Sequence, residues 1–146
     1  MLLLLVVFAA VKSVSAQIET PVKWSYAAKK VSATEAVVFI KATIQNGWHI
    51  YSQHVGDGGP VKTTFTFSPS KQYKAIGATS EPKATTKYED VFKMNVSYFE
   101  NSVIFQQKVK LLAGNPVVKG KLEYMTCNDR KCLPPDEVEF SIPVGK

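Results

Sequence analysis

Two cysteines, Cys127 and Cys132, lie in the stretch Tyr124-Met125-Thr126-Cys127-Asn128-Asp129-Arg130-Lys131-Cys132-Leu133-Pro134-Pro135. In an exported chain a pair this close is able to close a disulfide. As a staple the bond would do little, because a loop of about six residues stabilises by roughly 2 kcal/mol, against nearly 5 for about a hundred residues. Tight loops also favour bonds that exchange with other thiols. Arg130 and Lys131 next to Cys132 would favour a thiolate by Coulomb attraction. The residues alone therefore leave two chemistries open, a structural clip and a redox-exchangeable pair.

Other chemistries fit less well. His49 and His54 together with the two cysteines make a nominal donor set for zinc or copper(I). Their arrangement, His-x4-His in a glycine-rich loop and Cys-x4-Cys far downstream, is not a zinc spacing, so no metal is expected. Two histidines and no nucleophile elbow give no basis for a Ser-His-Asp triad. Gly56-Asp57-Gly58-Gly59-Pro60 leads into a strand pattern rather than a helix, so it is no phosphate loop. Asn95-Val96-Ser97 fits the glycosylation sequon, which would matter only in a eukaryotic secretory route.

The elements that must position these residues read as strands. In Glu35–Ile44 every second residue, Ala36, Val38, Ile40, Ala42 and Ile44, is apolar. The same period of two runs through Val103–Leu111 and Val118–Tyr124, and more briefly through Thr63–Phe67 and Val138–Ile142. Gln45-Asn46-Gly47, Ser68-Pro69-Ser70, Gly114-Asn115-Pro116 and Leu133-Pro134-Pro135 punctuate them as turns. No long segment carries a helical stripe. Seven to nine short strands predict an all-β chain, an immunoglobulin-like antiparallel β-sandwich forming one domain. The cysteine spacing of antibody domains is absent, so the likeness is to the architecture.

Composition agrees: 146 residues, 45% hydrophobic and 21% charged, belong to one ordinary globular domain and exclude disorder, collagen and coiled coil. The net charge of +6 comes from 17 lysines and one arginine against 12 acids. The lysines look scattered along the chain, and a nucleic-acid partner, which would favour clustered arginine, is not expected. Leu2–Val11 is an apolar run too short to span a bilayer. Val14-Ser15-Ala16 follows with small residues where a signal peptidase reads, so residues 1–16 are expected to be a signal peptide and 17–146 the mature domain.

The block Tyr124, Cys127, Cys132, Pro134, Pro135 resembles the N-terminal periplasmic domain of the thiol:disulfide interchange protein DsbD family. Asn46-Gly47-Trp48-His49-Ile50-Tyr51 is similar to the family's glycine-aromatic segment near the active site, and Glu89-Asp90-Val91-Phe92 to its cap loop. The cysteine spacing is one residue shorter than the enterobacterial pattern, and Val91 stands where that pattern has an acid. The resemblance implies an immunoglobulin-like fold in the periplasm. It also implies that Cys127 and Cys132 relay electrons from a membrane-embedded thiol reductant to periplasmic thioredoxin-like proteins. Cys132 would meet the partner and Cys127 would resolve the mixed disulfide. Phe92 would shield the sulfurs, with Asp90, Glu89, Tyr51, Trp48 and Arg130 supporting it or tuning thiol pKa. Such exchange needs no small-molecule cofactor, and the module is expected to act as a monomer. The competing expectation is an exported sandwich for binding or adhesion whose disulfide is only structural. On their own terms Phe92 would also serve as a core residue, Asp90 as a solvated turn carboxylate, and Trp48 and Tyr51 as core aromatics.

Overall fold

The computed structural model describes residues 19–145, so the expected signal peptide lies outside the described residues. Eleven strands follow in chain order: β1 (Val22–Lys30), β2 (Glu35–Ile44), β3 (His49–Tyr51), β4 (Thr64–Phe67), β5 (Tyr73–Ser80), β6 (Thr85–Glu89), β7 (Met94–Glu100), β8 (Ser102–Leu111), β9 (Val117–Tyr124), β10 (Thr126–Cys127) and β11 (Asp136–Pro143). One sheet has the order β1-β2-β8-β5, a second β11-β9-β4 and a third β10-β3-β7-β6. All named pairings are antiparallel. The chain is the expected all-β, immunoglobulin-like sandwich.

The period of two builds the core directly. In β2 the residues Ala36, Val38, Ile40, Ala42 and Ile44 are all buried. They meet Val103, Phe105, Val109 and Leu111 of β8, and across the sandwich Val118 and Leu122 of β9 with Phe140 and Ile142 of β11. Because strand side chains alternate, the opposite residues of the same strands face outward.

The third sheet extends the sandwich at one end and carries a separate small cluster of Tyr51, Val96, Tyr98, Met125 and Cys127. The chain passes from this sheet to the first at Asn101, whose φ of +62° is a left-handed conformation that asparagine tolerates better than most residues. Ile44 donates its backbone N–H to the carbonyl of Asn101 at 2.7 Å, tying the crossover to β2.

Eleven strands exceed the seven to nine expected. The additional ones are short or poorly patterned. β10 has two residues and β3 three, and β6 is an edge strand with four of five residues exposed, so no apolar alternation announces it.

Candidate functional site

The pairing of β3 with β10 places the cysteines. Cys127 is the register partner of His49, and Thr126 that of Ile50. The Thr126 hydroxyl adds a bond to the His49 carbonyl at 2.8 Å. Beyond Cys127 the chain makes a four-residue hairpin turn and returns, so that Cys132 faces Cys127 in an antiparallel bridge. Asn128 organises the turn: its side-chain oxygen accepts from the N–H groups of Arg130 at 2.9 Å and Lys131 at 2.8 Å. An asparagine does this readily because its carbonyl mimics a backbone acceptor. The cysteines are joined as a disulfide with Cα atoms 4.0 Å apart. Their environments differ sharply, since Cys127 is 2% exposed whereas Cys132 lies in the exposed class.

Alternation in β3 decides what else reaches the sulfurs. Trp48 and Ile50 point into the main core, while His49 and Tyr51 point the other way. His49, Tyr51, Glu89 and Phe92 line a cleft of about 570 Å³ together with Cys127 and Cys132. Trp48, expected beside the cap, is instead a core residue, 8% exposed and not among those lining the cleft. The parity of the strand forbids both Trp48 and Tyr51 from serving the same face.

The cap segment is the tip of the β6–β7 hairpin. Asp90, Val91, Phe92 and Lys93 form the turn, closed by a bond from the Phe92 N–H to the Glu89 carbonyl at 3.2 Å. Lys93 takes φ +52° to bring the chain back. Phe92 is half-buried and packs on the small cluster that contains Cys127. Its ring meets that of Tyr51 edge-on, with centroids 6.4 Å apart. Asp90 and Arg130 are exposed on opposite sides of the same cleft.

Beside Phe92, three polar groups join. The Tyr51 hydroxyl donates to Glu89 Oε2 at 3.4 Å and lies 2.9 Å from His49 Nε2. Glu89 Oε1 is 3.6 Å from the same nitrogen. Tyr51 has one proton to give, so both of its contacts are satisfied only when His49 carries its proton on Nε2. Burial and the neighbouring Glu89 carboxylate hold the Tyr51 phenol well above its ordinary pKa, so it remains a donor. Burial lowers the pKa of His49, outweighing the upward pull of Glu89; Lys87 lowers it further, and Glu100 and Asp129 oppose. The site thus holds a neutral imidazole, a phenol and a carboxylate next to the buried sulfur.

His49 and Asn128 are the site residues that sequence reasoning missed. The sequence offers His49 as a nominal metal ligand with His54 and as part of the Asn46–Tyr51 segment, without a role of its own at the cysteines. His54, by contrast, is exposed and does not line the cleft. The available signal was parity: His49 and Tyr51 are two apart in a strand and must share a face.

The family described as "Thiol:disulfide interchange protein DsbD, N-terminal" matches residues 17–143. No curated protein matches the chain in sequence. Among solved structures, the chain is similar to the reduced DsbD N-terminal domain of Neisseria meningitidis, with TM-score 0.53 and 20% identity over 75% of this chain and 82% of that one. It is also similar to the N-terminal periplasmic domain of ScsB from Proteus mirabilis, with TM-score 0.60 and 16% identity over 86% of this chain and 47% of that one. A third similar structure is the complex between the DsbD and PilB N-terminal domains of Neisseria meningitidis, with TM-score 0.51 and 18% identity over 72% of this chain and 73% of that one. At these identities the structures speak for the fold.

The lowered pKa of His49 carries a pH dependence with a definite sign. Between that lowered value and about 6.5, the unfolded chain binds a proton at this residue that the folded chain does not. This contribution therefore lowers stability as pH falls through that window. Urea midpoints measured from about pH 7.5 to about pH 5.5 should fall less steeply in His49→Gln than in the wild type. Parallel profiles would show that His49 titrates alike in both states.

Proposed function

Since the chain belongs to the DsbD N-terminal family of thiol:disulfide interchange proteins, we propose that it is a periplasmic thiol–disulfide exchange module. Its mature form is residues 17–146, released by cleavage of the signal peptide. It takes electrons from a membrane-embedded thiol reductant and passes them to thioredoxin-like proteins, acting as a monomer. The observation that carries this reading is the asymmetry of the pair: one cysteine is buried at the floor of a cleft and the other is an exposed residue on a tight turn.

The chemistry follows from that asymmetry. In the reduced module the Cys132 thiolate attacks one sulfur of the partner's disulfide, and the partner's other sulfur leaves as a thiolate. Cys127 then attacks the Cys132 sulfur, closing the internal disulfide and releasing the partner's second thiolate, so the partner leaves as a dithiol. Two electrons pass to the partner, and the membrane reductant restores them. Arg130 and Lys131 favour the Cys132 thiolate by their charge. His49 sits opposite Cys127 in register as a neutral imidazole, which burial keeps from adding a charge beside the pair. Glu89 and Tyr51 orient that ring.

An attacking sulfur approaches nearly in line with the S–S bond, and Phe92, which packs on the cluster that holds Cys127, would shield the pair until the hairpin tip moves aside. The β6–β7 tip is suited to this because β6 is an edge strand paired only with β7. Exposed Tyr88 and Val91 offer a partner an apolar rim beside the cleft.

Cys127→Ala should accumulate a mixed disulfide with a thioredoxin-like partner, because nothing resolves it, and Cys132→Ala should trap none. Both should stay folded, as a loop of about six residues contributes roughly 2 kcal/mol. Non-reducing gels and circular dichroism read both outcomes. Equal trapping by the two variants, or none by Cys127→Ala, contradicts the assignment.

Phe92→Ala tests the cap. It should speed alkylation of the reduced pair while costing well under the ~3–5 kcal/mol of a fully buried phenylalanine. A loss of that full size with an unchanged alkylation rate would make Phe92 a packing residue only.

A further inference from the structure

The two broad faces of the sandwich differ in charge. The alternation that buries Val38 and Ile40 turns Lys23, Lys29, Lys41, Lys74, Lys108 and Lys110 outward on the first sheet, all of them exposed. Register gathers them across four strands: Lys29 and Lys108 flank Val37, Lys41 lies beside Ile104, and Lys110 faces Lys74. Glu35 is the one carboxylate that the described strands of this face present. None of the six lysines is in an ion pair among the described residues. The opposite face, on the second sheet, carries Lys119 and Lys121 against Glu123, Glu137 and Glu139, with Lys121 and Glu137 3.6 Å apart. Most of the chain's net charge of +6 is thus concentrated on one side.

Between the lysines the first sheet presents apolar residues alongside exposed Ser25, Thr43, Ser102 and Gln106. Val37 and Phe39 are half-buried, and Ile104 and Ile76 are 42% and 40% exposed. We infer that this face docks on the surface of an anionic phospholipid bilayer. Lysine is depleted from protein–protein interfaces, so six of them on one face are a poor fit to a protein partner. A nucleic-acid partner would call for arginine and stacking aromatics, and the chain's single arginine, Arg130, lies at the cleft instead. An extended anionic surface suits a broad sheet: each lysine within a Debye length of the headgroups adds attraction. Phe39 and Ile104 then reach the level where headgroups meet acyl chains. Docking would hold the module on the bilayer that contains its proposed reductant, yet its test does not depend on the redox reading.

The test is co-sedimentation of the full chain with phosphatidylcholine vesicles that contain or lack phosphatidylglycerol, at roughly 50 mM and about 500 mM salt. The chain should bind only the anionic vesicles and only at low salt. Neutralising a lysine should weaken partitioning about five-fold, so Lys29→Gln/Lys41→Gln/Lys108→Gln should lose roughly a hundred-fold. Lys119→Gln/Lys121→Gln should bind as the wild type does. Residues 1–18, which include Lys12, are common to all variants, so the comparison between variants isolates the lysines of the first sheet. Equal binding to both vesicle types, a triple variant that binds unchanged, or tighter binding to duplex DNA at the same salt would each overturn the proposal. Should the triple variant fail to fold, the single variants Lys29→Gln and Lys108→Gln decide in its place, each expected to lose about five-fold and unchanged binding by both overturning the proposal.

Discussion

Two very short strands, β3 and β10, are aligned so that His49 meets Cys127, and the cleft depends on that register. A shift of one residue would turn Cys127 toward the main core and expose Thr126 in its place. A like slip of β3 would exchange His49 and Tyr51 for Trp48 and Ile50. The register is held from both faces. Trp48 and Ile50 are anchored in the main hydrophobic cluster, and the Thr126 hydroxyl is bonded to the carbonyl of His49. The large sandwich core thereby specifies a small site that contains few residues of its own.

That anchoring lets the site combine rigid and yielding parts. The floor comprises His49 and Tyr51, on a strand paired on both sides, and Cys127, on the edge strand β10 and bridged to Cys132, all three buried. The roof is Phe92, half-buried on a four-residue turn at a sheet edge. Local opening is favoured where buried apolar contact is sparse, which is the condition of the hairpin tip and not of the floor. Exposure divides the two cysteines along the same line, with Cys132 on the exposed turn and Cys127 buried.

Much of this was legible in the sequence because period-two alternation is a direct consequence of strand geometry. It identified β2, β8 and β9 and their inward residues. Turn chemistry correctly bounded Gln45-Asn46-Gly47, where Gly47 takes φ +88°. β6 escaped notice because an exposed edge strand needs no apolar face. Trp48 was placed at the cleft by its neighbourhood in sequence, although strand parity sends it to the opposite side. The lysines of the first sheet appeared scattered for a related reason. They come from four strands that are distant in the chain, and only the register of the sheet brings them onto one surface.

The proposed relay requires the Cys127–Cys132 bond to be exchangeable, and its reduction potential measures this directly. Equilibration of the folded protein in glutathione buffers of graded ratio should place the potential well above about −300 mV, with equilibrium reached quickly. A potential below about −300 mV, with slow reduction, would make the bond a structural clip and contradict the account.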